Sequence, residues 1–194
     1  MLVSPFLFAQ MGYDPLKDLQ PVTMINSAPL MVVVHPALPV KSFAELVAYS
    51  KANPGKLNYG SAGAGSSSNL TGELFKHLAV LPDIVHIPYK SATPGITDLV
   101  AGQIPIMTSM ISGNIVELHK AGKVRILASA SEQRMAAAPD IPTIAEGGVP
   151  GYDAETWYAM FAPKGTPPAV INKLSTTLQR TLQSPEMKEK LQAQ

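Results

Sequence analysis

Leu57-Asn58-Tyr59-Gly60-Ser61-Ala62-Gly63-Ala64-Gly65-Ser66-Ser67-Ser68-Asn69-Leu70 reads as a strand that runs into a glycine-serine turn and opens a helix. Glycines let the backbone take positive φ and approach a ligand, serine hydroxyls add donors, and the amides of a first helical turn lack intrahelical acceptors. Such a turn either holds a small carboxylate or phosphate, or merely joins a strand to a helix.

Working outward, the same strand-helix alternation recurs. Upstream, Ser42 with Glu45 three residues on forms a capping box, and Phe43, Leu46, Val47 and Tyr49 give helical spacing until Asn53-Pro54-Gly55. Downstream, Leu70, Leu74 and Leu78 recur every four residues beside Phe75, which predicts an amphipathic helix packed on a sheet and ended near Leu81-Pro82. Ile84 to Tyr89, Ile104 to Met107 and Val124 to Ala130 read as strands, with helices from Pro94 to Val100 and Ile115 to Lys120 stopped by Gly102 and Gly122. This order predicts an α/β fold of βαβ units, with a parallel-rich sheet covered by helices on both faces. Leu30 to Val34 and Trp157 to Ala162 are expected as strands outside that central sheet. Ser131 to Gly151, broken by Pro139, Pro142, Gly147, Gly148, Pro150 and Gly151, reads as a linker or domain crossing. Val170, Leu174, Leu178 and Leu182 then line one stripe of a helix from Ala169 to Leu182, and a final helix starts near Ser184-Pro185-Glu186.

Composition narrows the function classes. The 194 residues are 46% hydrophobic, enough for a packed core, and 15 Lys+Arg against 14 Asp+Glu leave a net charge of +1. No global field draws the chain to nucleic acid or a membrane surface. The absence of cysteine excludes disulfides, thiol catalysis and thiolate metal sites. The apolar run Leu30 to Val34 has the length of a buried strand rather than of a membrane span, and the apolar start Met1 to Gln10, interrupted by Pro5, is a poor signal peptide.

Most chemistry tested against the motifs fails. Gly63-Ala64-Gly65 is followed by Ser68 where a dinucleotide fingerprint needs its third glycine, and no Lys-Ser or Lys-Thr follows as in a P-loop. His35, His77, His86 and His119 have no metal-ligand spacing and read as surface or hydrogen-bonded histidines, so neither a metal nor a cofactor is expected. No Gly-x-Ser-x-Gly or Ser-x-x-Lys signals an activated serine. The second candidate site is His86-Ile87-Pro88-Tyr89-Lys90-Ser91-Ala92-Thr93-Pro94-Gly95, again a strand end meeting a helix start. In an open parallel sheet, strand ends lie side by side, so the loop Ser61 to Ser67, the loop Tyr89 to Thr93 and the strand end Thr108-Ser109 should share one rim. Lys90 in that rim is either a ligand contact or a solvated surface cation.

Seven ordered motifs carry a resemblance over nearly the whole chain: Asn58 to Ser66, Gly72-Glu73-Leu74-Phe75-Lys76, His86-Ile87-Pro88-Tyr89-Lys90, Thr97 to Gln103, Ala121-Gly122-Lys123-Val124-Arg125, Asp140 to Glu146 and Ala162 to Pro167. They resemble the Bug family, the extracytoplasmic solute receptors of tripartite tricarboxylate transporters. The resemblance implies a two-lobed periplasmic-binding-protein-like architecture (type II) that closes on a small carboxylate and presents it to membrane permease subunits, without enzymatic activity. It implies a first partial lobe and crossover at 1–34, a complete lobe at 35–150, and a return crossover with the rest of the first lobe at 151–194. The expected ligand-binding set is Ser61, Ala62, Gly63, Gly65, Ser66, Ser67 and Asn69 from the first loop, Tyr89, Lys90, Ser91 and Thr93 from the second, and Ser109.

Two departures from the family pattern bear on function. Family members carry a signal peptide and a further segment before the point matching Met1, so the chain is expected to be a truncated receptor whose single lobe binds weakly. At Ser109 many members have an aspartate that meets the ammonium of an amino-acid ligand, so a plain di- or tricarboxylate or an aromatic acid is expected instead. The competing expectations are a ligand-sensing domain of a regulator, an α/β enzyme acting on an anionic metabolite, and a gene remnant without function.

Overall fold

A computed structural model of the chain describes residues 4–7, 10–135 and 138–187. Parts of the apolar start, and the last helix beyond Met187, lie outside the described residues. The elements are α1 (Ser4–Leu7), β1 (Leu19–Val34), α2 (Phe43–Ala52), β2 (Asn58–Ser61), α3 (Ser67–Ala79), β3 (Val85–Pro88), α4 (Ala92–Val100), β4 (Ile106–Met110), α5 (Gly113–Lys120), β5 (Arg125–Ser129), β6 (Glu155–Pro163) and α6 (Pro168–Leu182). The chain divides into two compact units, Ala28–Thr156 and Met1–Ser27 with Trp157–Gln194.

In the larger unit the strands lie in the order β3-β2-β4-β1-β5. β2 pairs in parallel with β3 and β4, and β1 pairs antiparallel with both β4 and β5. Four strands therefore share one direction, and β1 runs against them between β4 and β5. This corrects the expectation for Leu30 to Val34, which form the middle of the sheet. The physical reason is their double burial: Leu30, Val32 and Val34 enter one core cluster and Met31 and Val33 the other, with none of the five more than 2% exposed. A run buried on both faces reads as continuously apolar and is at home in a central strand. The part of β1 before Leu30, with Pro21 and Pro29 and no clean alternation, carries no strand signal in sequence.

Helices cover both faces of this sheet. One core gathers Phe43 and Leu46 of α2 and Phe75 of α3 around Tyr59, with Phe43 and Tyr59 meeting the Phe75 ring edge-on at 5.8 and 6.2 Å. The other core sets Leu99 of α4 and Ile115 of α5 against Met31, Val33 and Met107.

α3 does not bury the stripe that its leucines predict. Its buried face is Ser68, Asn69, Thr71, Gly72, Phe75 and Ala79, while Leu70 and Leu78 are exposed. Tyr59 causes this: a Cβ on Gly72 would lie 2.2 Å from the phenol ring, so only a small-residue face fits over it. The segment 131–151 is not a free crossing either, because Ile141, Ile144 and Val149 are buried in the cores of the same unit. Ser129 and Thr143 form a bridge, and the Tyr152 hydroxyl donates to the Thr71 carbonyl at 2.8 Å.

In the smaller unit, β6 pairs with β1. The Gln20 amide donates to the Thr166 carbonyl at 3.0 Å, and the Lys164 amide to the Asp18 carbonyl at 2.8 Å. α6 buries none of its residues.

Candidate anion-binding site at the strand ends

The turn after β2 is built from its own hydroxyls. Gly63 and Gly65 take φ of +121° and +74°, which side-chain-bearing residues rarely adopt, and Gly63 also lies so close to the next loop that a Cβ would sit 3.1 Å from the Tyr89 carbonyl oxygen. Ser66 caps α3: its hydroxyl accepts from the Asn69 amide at 3.2 Å and donates to the Gly63 carbonyl at 2.7 Å. Ser68 Oγ accepts from the Ala62 amide at 3.0 Å, and Asn69 Oδ1 accepts from the Gly65 amide at 2.9 Å. The amides of Ser67 and Ser68, the first two of α3, have no protein acceptor among the described residues. They are the open donors at the positive end of the helix.

Two sets of side chains hold this turn to the sheet. On β4 the Thr108 hydroxyl bridges the carbonyls of Ser68 at 2.8 Å and Gly60 at 3.2 Å. Beneath α3, Asn69 Nδ2 donates to the Tyr59 hydroxyl at 2.9 Å, and that hydroxyl donates to Glu73 at 2.7 Å. Burial, then the Glu73 carboxylate, pushes the Tyr59 hydroxyl pKa far up. Burial acts to raise Glu73 as well, but the hydrogen bonds from Tyr59 and Lys76 hold it below the usual carboxylate range. The Lys76 ammonium lies 3.0 Å from Glu73 and 5.7 Å from the Tyr59 ring centroid.

Ser61 is wholly buried, and its Oγ lies 2.7 Å from His86 Nε2 on the adjoining strand β3. The same Oγ accepts from the Gly63 amide at 3.1 Å and donates to the Gly63 carbonyl at 3.2 Å. A serine-histidine contact of this length suits a nucleophile, but a nucleophile must touch its substrate, and Ser61 exposes no surface. The contact positions the turn.

The second loop abuts the first, with the Tyr89 amide donating to the Ser61 carbonyl at 3.0 Å. Tyr89 does not leave its phenol free: the hydroxyl donates to Asp98 of α4 at 2.8 Å, and burial with that carboxylate pushes its pKa up to about 12. Lys90, Ser91 and Thr93 are exposed, and Ser91 occupies the N-cap of α4 without a side-chain bond to it. Ser109 is buried on the face of β4 opposite Thr108 and, with Thr93, lines a cleft of about 570 Å³ between α4 and α5. The structure thus gathers the first loop, Asn69 and the Tyr89 backbone, and sets Thr93 and Ser109 together in the cleft. Sequence reasoning missed His86, Tyr59 and Glu73 as supports. Register is the signal that finds His86, since Tyr59 and His86 are cross-strand partners.

The arrangement offers amide and hydroxyl donors to an anion. No group of three or more His, Asp or Glu side chains among the described residues is placed to hold a metal ion, and no described helix is long and apolar enough to cross a membrane.

BugT of Bordetella pertussis is 36% identical over 194 residues, all of this chain and 59% of BugT. The solved structure of Rpa4515 of R. palustris with adipate superimposes with a TM-score of 0.83 at 36% identity, over 95% of this chain and 61% of that one. MatC (Rpa3494) from Rhodopseudomonas palustris with bound malate gives 0.81 at 31% identity, over 96% of this chain and 63% of MatC. The chain spans between 56% and 59% of the length of two curated relatives, one from Pseudomonas sp. strain P51 and BugT. The family model described as the tripartite tricarboxylate transporter family receptor matches residues 1–194, and the chain belongs to that family.

Proposed function

We propose that this chain grips one carboxylate of a small dicarboxylate as part of a periplasmic receptor that delivers it to the permease of a tripartite transporter. The open Ser67 and Ser68 amides, one residue from the Ser66 hydroxyl, carry the reading. A helix N-terminus favours a negative group, and hydrogen bonds to a charged acceptor are worth about 1.5–3 kcal/mol each. Relatives solved with adipate and with malate support the same ligand class. Ser91 and Lys90 of the second loop, both exposed, supply a further hydroxyl and an ammonium to the same rim. Ser109 brings no charge to pair with a ligand ammonium, in keeping with plain diacids rather than amino acids.

Ser67→Pro is the sharpest test. Proline is accepted at the first position of a helix but has no amide hydrogen, so the variant keeps α3 and deletes one ligand donor. Titration calorimetry with adipate and malate should show affinity lowered about tenfold, the loss of one charge-assisted hydrogen bond, with an unchanged circular dichroism spectrum. Equal affinity in wild type and Ser67→Pro would remove the α3 amides from the site.

A further inference from the structure

The contact between Ser61 and His86 lies outside the donors proposed to hold a ligand, yet it touches the turn that presents them. Three hydroxyls, of Ser61, Ser66 and Ser68, are linked there. In one arrangement the Gly63 amide donates to Ser61 Oγ at 3.1 Å, and the Ser61 hydroxyl donates to a neutral His86 Nε2 at 2.7 Å. The Ser66 hydroxyl then serves the Gly63 carbonyl at 2.7 Å, and Ser68 Oγ lies 3.0 Å from Ser66 Oγ. All hydroxyl hydrogens are spent inside the turn.

Protonation of His86 makes Nε2 a donor, so Ser61 Oγ must accept from it. The Ser61 hydrogen then has one acceptor within reach, the Gly63 carbonyl at 3.2 Å, which is also the acceptor of Ser66. Two hydroxyls and the Ser66 amide, at 3.2 Å, now converge on one carbonyl oxygen with two lone pairs. Ser66, at the lip of the turn and only partly buried, is the one able to swing to an incoming anion. An imidazolium two hydrogen bonds from the turn also adds a favourable field.

We propose that His86 is a positioning residue which, through Ser61, couples its own protonation to the Gly63 turn and releases the Ser66 hydroxyl to the anion. The coupling rests on geometry alone; its effect on ligand rests on the carboxylate reading given above. The groups facing His86 are Tyr59 from β2, stacked at 4.9 Å between ring centroids, and Glu73 and Lys76 from α3. Burial holds the imidazole below its ordinary value, Glu73 opposing and Lys76 assisting, so the coupling operates on the acid side of pH 6.5.

The test has two readouts on the whole chain, wild type and His86→Gln. Nuclear magnetic resonance of the free protein reads the coupling without any ligand: the amides of Gly63 and Ser66 should titrate between pH 5 and 7.5 with the midpoint of the His86 ring. In His86→Gln both should be flat. Amides that do not follow the His86 midpoint in the wild type, or that still do so in the variant, overturn the proposal. Calorimetry with adipate over the same range reads the consequence. Wild-type affinity should exceed that of His86→Gln by about three- to tenfold at the acid end and converge with it above pH 7, the variant correcting for protonation of adipate itself. Identical affinity profiles with intact binding overturn the proposal and leave the carboxylate reading standing. Titrating amides with no adipate binding at any pH support the coupling and sink the carboxylate reading.

Discussion

α3 and α6 look alike as sequence and behave differently as structure. Both repeat an aliphatic residue every four positions, Leu70-Leu74-Leu78 in one and Val170-Leu174-Leu178-Leu182 in the other. In α3 the buried face lies beside the leucines, on Asn69, Thr71, Gly72 and Phe75, because Tyr59 and Thr108 of the sheet supply partners for that face. In α6 nothing is buried, and Val170 and Leu174 are 44% and 40% exposed within the chain. Periodicity therefore reports that a helix has an apolar side. The partner surface decides which side is used.

The largest effect that can break this contrast belongs to Gly72. Gly72→Ala would raise helix propensity by about 1 kcal/mol, but its methyl would meet a Tyr59 ring pinned by Asn69 and Glu73. Overpacking of a fixed core outweighs propensity, and a net loss of about 3 kcal/mol is expected, read as a lower urea midpoint for α3 and its sheet. A neutral or stabilising Gly72→Ala would show that α3 can slide back onto its leucines.

The same residues mark how far the fold and the site were legible. The alternation of strands and helices and the cap at Ser42 follow from local rules, since each depends on neighbours within a few positions, and the meeting of the two loops follows from the parallel pairing of β2 with β3. The place of Leu30 to Val34 does not, because an uninterrupted apolar run says that both faces are covered without saying by which strands. Within the site the sequence shows donors and cannot show their occupation: Tyr89 reads as a ligand phenol until Asp98, nine residues on, is seen to take its hydrogen. His86 reads as a surface or hydrogen-bonded histidine without showing its partner, because Ser61 lies 25 positions away.

Two substitutions at the turn sharpen the contrast with smaller effects. Thr108→Val keeps the shape of a buried residue and removes the hydroxyl that joins Ser68 and Gly60, so about 2 kcal/mol should be lost and hydrogen exchange at the start of α3 should quicken. Exchange unchanged in Thr108→Val would mean that the sheet does not fix that helix end. Ser66→Ala removes the cap of α3, for about 1 kcal/mol in thermal unfolding, and also removes the hydroxyl proposed to reach the ligand. Carboxylate affinity should fall in this variant by more than the stability loss accounts for; a loss of stability alone would confine Ser66 to capping.

The smallest effect is expected at Leu174→Gln, and it carries the other half of the comparison. Glutamine forms helix about as well as leucine, so propensity is nearly constant, and what changes is the apolar contact made by a side chain that the chain leaves 40% exposed. Surface substitutions of this kind stay within about 0.5 kcal/mol. BugT, of which this chain covers 59%, is longer than it, and an apolar stripe at α6 is the kind of surface that more polypeptide or a second copy would cover. The variant separates those conditions: in dilute solution Leu174→Gln should melt with the wild type, whereas a loss above about 1 kcal/mol that grows with protein concentration would place the stripe in a self-association interface. A loss independent of concentration would instead show that α6 packs within its own unit more tightly than its exposed leucine indicates, and the contrast with α3 would narrow to the choice of face alone.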